Sequence, residues 1–319
     1  MAGRRRWAVG GEPALSAALA GALPAARAAL EPGRARLPVR VLAPGVPSHE
    51  QLADVAELVV VGPDCGAADL LRAGAEAGVP HLTVVTSTQV YGALADNPAL
   101  LPEDAPLRAP VGPAVRGLLD LEAAAAEQAA RGAAIAVLRP GILLGAGAVG
   151  LLSGIAEAPR LLLPRGSAAV WQVTHTSDLA TAVLLAADSA LVGPAAVVGS
   201  TTVRPADLER VLGIHLLEVP EAVVRATAER LVRLGLTRTP VDALDWLLYP
   251  CLVDGARLRA LGWTPLVADA AALRAHAALH GLHTGTHGRA VAVAGTGAGT
   301  MAVVGTAALV RRARRRRGR

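Results

Sequence analysis

The sequence has few of the residues on which metal sites and nucleic-acid interfaces depend. Its 319 residues include no lysine and no phenylalanine, two tyrosines and two cysteines. Cys65 and Cys251 are too far apart for metal-ligand spacing, and so few cysteines fit a reducing compartment. Aromatic side chains for base stacking are nearly absent, and the sequence has no helix-turn-helix or zinc signature. We therefore expect a cytoplasmic protein that holds no metal, and a nucleic-acid function would depend on the C-terminal tail alone.

An excess of positive charge is found only at the C-terminus. The formal net charge is +5, but residues 311–319 hold seven arginines and no acid, which leaves residues 1–310 at −2. The basic N-terminus resembles the start of a signal peptide, but Glu12 and Pro13 interrupt the apolar run that such a peptide needs. We therefore predict no secretion signal, and the basicity belongs to a tail.

The segment before that tail, residues 290–310, holds 21 uncharged residues, about the length that spans a bilayer. Seven alanines, four glycines and three threonines contribute little to insertion, and a single span would place the arginines beyond the membrane. Three interpretations stay open: a membrane span, a segment that lies on an anionic membrane surface, and a flexible low-complexity tail.

The rest of the chain alternates short apolar runs with amphipathic helical segments. Arg6–Gly10, Leu58–Val61 and Leu82–Val85 have the pattern of buried parallel strands, with helical patterns between them. The pattern predicts an α/β protein, a Rossmann-like doubly wound parallel sheet with a smaller C-terminal lobe. We place the sheet domain in residues 1–165, with a contribution from 170–200, the smaller lobe in 166–285 and the tail in 286–319.

Two more detailed predictions concern the number of strands in the sheet and one helix of the C-terminal lobe. The interval between Gly10 and Leu58 holds about one strand and helix, so we expect the sheet to be short of a strand on that side. A helix over 220–234 is predicted to place Val223 and Val224 on the same apolar stripe, facing a core.

The stretch HLTVVTSTQVYG, residues 81–92, carries the first functional signal. The hydroxyl cluster of Thr86, Ser87 and Thr88 follows a buried strand, and ligands of open α/β sheets bind at the carboxyl ends of strands. This strand, the cluster and Val-Tyr-Gly resemble the extended short-chain dehydrogenase/reductases, the NAD-dependent epimerase/dehydratase family that acts on nucleotide sugars. The resemblance runs from about residue 58 to 280 and includes Glu-Asp-x-Pro at 103–106, Leu-Arg-Pro at 138–140, His-x-x-Asp-x-Ala at 175–180 and Leu-Gly-Trp-x-Pro at 261–265.

The resemblance implies a set of site residues. Ser87 takes the active-site Ser/Thr position; Gly10, Ser87, Arg139 and Pro140 are the cofactor candidates; Thr88, His175 and Asp178 are the substrate candidates. Other roles stay open for three of them. Arg139 could bond loop carbonyls, Asp178 could cap the helix that follows it, and His175 could be a hydrogen-bonded structural residue.

The catalytic helix of the family begins Tyr-x-x-x-Lys, with a Glu four residues later. Aligning that Glu with Glu122 places Ala114 at the Tyr position and Leu118 at the Lys position. In the family the Tyr exchanges a proton with a substrate hydroxyl, and the Lys lowers its pKa and holds the nicotinamide ribose. Because the protein has no lysine, shifting the alignment cannot restore the pair.

The cofactor motif is eroded in the same way. The resemblance implies NAD or NADP, but the three glycine positions of the family fall on Gly10, Pro13 and Ser16. Proline has no amide hydrogen to give to a pyrophosphate. No acid for the ribose lies between residues 32 and 49, where Arg40 is the one candidate for a phosphate contact.

Two functions follow from these observations. The first is a divergent family member without Tyr/Lys redox catalysis that binds a nucleotide, nucleotide sugar or other small metabolite, or a partner protein. The alternative is an active NAD(P)-dependent epimerase/dehydratase or reductase that works through Ser87 and non-standard groups. Association of residues 290–319 with an anionic membrane surface is compatible with either, and the sequence predicts no oligomeric state.

Overall fold

The computed structural model describes residues 6–33, 37–63, 66–109, 112–148, 160–233 and 241–280. Its centre is a parallel six-stranded sheet in the order β2-β1-β3-β4-β5-β9. The strands are β1 Arg6–Gly11, β2 Val39–Val41, β3 Val55–Val61, β4 His81–Val85, β5 Ile135–Pro140 and β9 Gly193–Val197. The α/β class and the Rossmann-like parallel sheet predicted from the sequence are therefore confirmed.

Two short parallel pairs lie outside this sheet. β6 Ile142–Leu144 pairs with β8 Val173–His175, and β7 Arg160–Pro164 pairs with β10 His215–Val219. The helices are α1 Pro13–Leu30, α2 His49–Leu52, α3 Ala67–Glu76, α4 Pro113–Ala130, α5 Thr176–Asp188, α6 Pro205–Leu212, α7 Glu221–Arg233, α8 Ala256–Ala260 and α9 Asp269–Leu279. Two 3-10 turns cover Thr88–Tyr91 and Val241–Leu247.

Helices cover both faces of the sheet because its central strands are apolar on both sides. Val59 and Val61 face a core built with α1 and α5, whereas Leu58 and Val60 face a second core built with α3 and α4. α1 is long and apolar enough to cross a membrane by composition, but its Leu15, Leu19 and Leu23 are buried in the first of these cores. α1 is thus accounted for as a core helix.

The edge of the sheet agrees with one sequence prediction, whereas helix α7 contradicts another. β2 is an edge strand, and within the described residues no strand pairs with its outer side, as the short interval before Leu58 predicts. The prediction that Val223 and Val224 share a core-facing stripe is wrong: Val224 is buried, but Val223 is half exposed. Consecutive residues of a helix lie about 100° apart, so the packing of α7 on β7 buries one of the two.

Candidate functional site

The carboxyl ends of β1, β3, β4 and β5 meet at one edge of the sheet, where the sequence places the site. Ser87 follows β4 there and is half-buried. Its Oγ accepts a hydrogen bond from the Gln89 amide at 3.2 Å, which caps the 3-10 turn that follows. Thr88 begins that turn with its side chain buried. Of the hydroxyl cluster, Ser87 is therefore the member with access to the crevice.

Arg139, a cofactor candidate, is enclosed in a buried polar network. Its Nε and Nη2 donate to the two carboxylate oxygens of Glu122 at 2.9 and 2.7 Å, and its Nη1 donates to the Tyr91 hydroxyl at 2.7 Å. Thr86 donates its hydroxyl to the same carboxylate at 2.8 Å. Arg139 is 6% exposed, and the neighbouring Pro140 is also buried within β5. The guanidinium therefore serves protein groups, which corresponds to the structural role left open for it.

Tyr91 belongs to the same network and is held as a structural residue. Its hydroxyl donates to the Glu103 carbonyl at 2.7 Å and accepts from Arg139. Burial raises the pKa of Tyr91, and the charge of Arg139 offsets only part of that rise. A phenol with both hydrogen-bonding roles filled, and a raised pKa, is poorly suited to exchange protons with a substrate.

Glu103, the first residue of the Glu-Asp-x-Pro motif, ties the loop before α4 to the C-terminal lobe. Its carboxylate accepts the amide of Ala196 in β9 at 2.7 Å and that of Arg257 in α8 at 3.0 Å. Burial raises its pKa, against the effect of these two amides. The sequence identified the motif but not this role, because the two amides lie 93 and 154 residues away along the chain.

The two substrate candidates on α5 also make contacts within the protein. His175 is the N-cap: its Nδ1 accepts the Ser177 amide at 3.3 Å, and burial lowers its pKa. Asp178 is in the first turn, so the prediction that it could cap this helix is wrong. Its carboxylate instead accepts the amides of Leu266 and Val267, at 2.8 and 3.3 Å. His175 therefore caps its own helix, whereas Asp178 holds the segment that contains Leu266 and Val267.

Helix α4 packs against Gly62 and Pro63, which follow β3. Leu118, at the position that the resemblance assigns to lysine, is 5% exposed. A Cβ added to Gly62 would lie 3.0 Å from Leu118 Cδ2, and one added to Gly117 would overlap the Pro63 carbonyl. Ala114 lies in the first turn of this helix. Apolar contact thus fills the space between α4 and the strand end.

The N-terminus of α1 is where a dinucleotide-binding fold holds a pyrophosphate. Here Glu12 is the N-cap, and its Oε2 accepts the Leu15 amide at 2.7 Å. Gly10 is packed between two apolar side chains, so that an added Cβ would lie 2.6 Å from Leu70 Cδ2 and 3.3 Å from Leu42 Cβ. Sequence reasoning assigned no role to Glu12. The signal for one was an acid directly before a proline at a helix start, which is a capping position.

The residues that follow β6 pack against the start of α1. An added Cβ at Gly147, which has a positive φ of 71°, would lie 2.7 Å from Ala18 Cβ and would overlap the Ala14 carbonyl. The Thr176 hydroxyl holds the segment: it lies 2.9 Å from the Ala146 carbonyl oxygen and 3.1 Å from that of Leu144, which share its one proton. The start of α1 is therefore in contact with the polypeptide that follows β6.

Three further features bear on ligand binding: metal-ligating side chains, cysteines and a pocket. Within the described ranges, no group of three or more His, Cys, Asp and Glu side chains could hold a metal ion. Burial raises the pKa of Cys251 to about 12, and Cys65 lies outside the described residues. An open pocket of about 370 Å³ lies along the loop before α4, lined by Tyr91, Asn97, Pro98, Leu101, Pro102, Asp104, Ala105, Pro106 and Arg108. Two of its polar groups are already paired, Asn97 with the Gly92 carbonyl and Arg108 with Asp96.

No protein-family model matches the sequence, and a search among curated proteins gives no match. Solved structures do match. UDP-glucose 4-epimerase from Thermus thermophilus, in complex with NAD, has a TM-score of 0.60 and 17% identity over 86% of this chain and 98% of that one. DesIV, the dTDP-glucose 4,6-dehydratase of Streptomyces venezuelae, has a TM-score of 0.59 and 17% identity over 86% and 96%. MoeE5 in complex with UDP-glucuronic acid and NAD has a TM-score of 0.59 and 16% identity over 86% and 98%. At such identities the likeness establishes the fold.

Proposed function

We propose that this chain, which has the fold of NAD-dependent nucleotide-sugar epimerases and dehydratases, is a divergent extended short-chain dehydrogenase/reductase that binds a nucleotide-sugar-type ligand without Tyr/Lys redox catalysis. The observation that carries the proposal is the packing of Leu118 against the segment after β3. A leucine there offers neither a charge for a neighbouring phenol nor a donor for a ribose.

The groups that hydride chemistry needs have no substitute in the described crevice. Removing a hydride from an alcohol requires a base for the hydroxyl proton. Tyr91 is buried and bonded on both sides, and the other tyrosine, Tyr249, packs against the C-terminal core. The sequence contains no lysine that could pair with either phenol. Loss of both members of a pair that acts together supports loss of the reaction.

The alternative, an active enzyme, depends on Ser87. This side chain is half-buried at the strand end, and because its Oγ accepts from Gln89, its hydroxyl proton is still available to a ligand. Such an enzyme would need NAD or NADP and a base that the described residues do not supply in the family's position.

Turnover assays separate the two functions. The purified full chain is incubated with UDP-glucose or UDP-glucuronic acid and NAD or NADP, and NAD(P)H absorbance and the sugar products are followed. We expect no turnover, together with saturable binding of the nucleotide sugar by calorimetry at a Kd below about 1 mM. Turnover that disappears in Ser87→Ala would refute the proposal and support the alternative; absence of ligand binding would instead favour a partner-binding protein.

A further inference from the structure

We infer that the Glu12 carboxylate occupies the place of a dinucleotide's pyrophosphate, so that this chain does not bind NAD or NADP in the manner of its fold. The inference goes beyond the proposed function because it concerns the cofactor site rather than the Tyr and Lys positions. The residues present do not fit the cofactor, for three reasons found on separate elements.

The first reason is the use of the helix donors. An α-helix leaves the amides of its first turn free, and a bound phosphate needs them. In α1, Pro13 has no amide hydrogen and the Leu15 amide is bound to the Glu12 carboxylate at 2.7 Å. The Ser16 amide is bound to the Glu12 carbonyl at 2.9 Å. Positions 12, 13 and 15 therefore offer no free amide hydrogen to a pyrophosphate, because the Glu12 amide is bound to the Val61 carbonyl as well.

The second reason is charge. The positive end of the helix dipole attracts one anion, and the Glu12 carboxylate is already there. Its position is fixed because the Glu12 amide donates to the Val61 carbonyl at 2.9 Å, which ties the cap to the end of β3. A pyrophosphate at the same end would meet a like charge at close range, which disfavours its binding.

The third reason is space. Gly10 remains, but the leucines at positions 42 and 70 enclose it, and Leu42 directly follows β2, where an acid for the ribose would be expected. From the other side, Gly147 contacts Ala14 and Ala18 of α1. Apolar side chains therefore close on Gly10, and the main chain at Gly147 lies against the first two turns of α1.

Glu12→Gly tests the inference in the full-length chain, since glycine is an acceptable N-cap and frees the Leu15 amide. The matched control is Glu12→Asp, which keeps a carboxylate in a good capping residue. Inorganic pyrophosphate and NADH are titrated separately into wild type and variants by calorimetry and by thermal shift. If Glu12→Gly does not fold, Glu12→Ser supplies a neutral cap for the same measurements.

We expect no saturable binding of either probe to wild type or Glu12→Asp up to about 10 mM, and a pyrophosphate affinity at least about 10-fold higher in Glu12→Gly. Wild-type binding of NADH below about 1 mM, displaced by pyrophosphate, would overturn the inference. So would a neutral variant that gains no affinity. NADH binding without turnover would overturn this inference and leave the proposed function intact, whereas turnover of a nucleotide sugar would overturn the proposed function.

Discussion

Buried and exposed ion pairs in this protein are expected to contribute very differently to its free energy of unfolding. Arg139 and Glu122 form a two-bonded pair with side chains 7% and 8% exposed, linked to Tyr91 and Thr86. Arg108 and Asp96 form a pair with side chains 46% and 68% exposed. Removing one partner of a buried pair leaves an uncompensated charge in a medium of low dielectric constant, whereas water compensates an exposed one.

Arg139→Met is therefore expected to lower the free energy of unfolding by about 3–5 kcal/mol, because it leaves the Glu122 carboxylate buried and unpaired. Arg108→Met is the control, with an expected loss of about 0–1 kcal/mol. Urea denaturation at pH 7 gives both values. Equal losses in the two variants would contradict the structural role assigned to Arg139.

The position of Leu118 makes a second prediction at this scale. Leu118→Lys restores the family residue but puts an ammonium group against Gly62 and Leu121, where burial lowers its pKa. We expect a loss of about 2–5 kcal/mol at pH 7, no gain of hydride transfer, and a smaller loss at about pH 10, because the lysine is then neutral in the folded state and partly neutral in the unfolded state, where its pKa is about 10.4.

The matched control is Ala123→Lys, an exposed position on the same helix, which should stay within about 0.5 kcal/mol of wild type. Urea denaturation at both pH values and NAD(P)H absorbance are the measurements. A Leu118→Lys protein as stable as wild type would show that the space beside Gly62 is open.

At the scale of elements, the amino ends of β3 and β4 are joined by a buried imidazole. His81 places its Nδ1 2.8 Å from a Glu57 oxygen and its Nε2 2.8 Å from the Leu191 carbonyl. Thr83 donates to the second Glu57 oxygen at 2.6 Å. Both ring nitrogens face acceptors, so the arrangement is complete when the imidazole carries both protons. This contact connects two neighbouring strands to the segment before β9.

The pKa shifts of His81 and Glu57 determine how the free energy of unfolding should depend on pH. Burial alone would lower the pKa of His81, but the bond and charge of Glu57 raise it above its usual value. Burial raises the pKa of Glu57, with His81 and Thr83 acting against the rise. A raised histidine pKa adds stability that is full below the unfolded value, about 6.5, and is lost as pH rises through the folded pKa.

His81→Gln should therefore differ most from wild type near pH 6, and the difference should shrink by up to about 1.4 kcal/mol per pH unit above the unfolded pKa of about 6.5. Urea denaturation between pH 6 and 9 gives the profile. A difference that is constant over this range would show that His81 does not gain its proton on folding.

Asp178 and Asp207 are each the third residue of a helix, α5 and α6, but their carboxylates have different partners. Asp178 is buried and accepts the amides of Leu266 and Val267, whereas Asp207 accepts the Arg204 amide beside its own helix. Asp178→Ala is expected to cost about 1–3 kcal/mol and to remove the hydrogen-exchange protection of the two amides. Asp207→Ala should leave their exchange rates unchanged. Unaltered protection in Asp178→Ala would contradict this account.

At the scale of the whole molecule, Glu103 and Asp178 accept the backbone amides of Arg257 and Leu266, and they so tie the C-terminal part of the described chain to the loop before α4 and to α5. The C-terminal tail, residues 286–319, lies outside the described residues, and its association with anionic membranes remains a proposal, as does a cytoplasmic location. We expect the full chain to float with anionic vesicles at low salt, and a chain that ends before Arg289 not to float. Neutral vesicles are the control, and equal flotation of both chains would remove the membrane proposal.

The sequence alone was enough to predict the α/β class and the strands at Leu58–Val61 and Leu82–Val85, and it contains no lysine for a Tyr/Lys pair. Those features are local: a buried apolar run predicts its own strand, helical periodicity lies within one helix, and a missing lysine can be read directly. The tertiary structure decided the roles of Arg139, Glu103 and Asp178, whose partners are 17 to 154 residues away along the chain. It also decided that the Glu12 amide is tied to the end of β3 through the Val61 carbonyl. Hydrogen bonding acts over about 3 Å in space and is indifferent to separation in sequence, so these roles emerge only when the chain is folded.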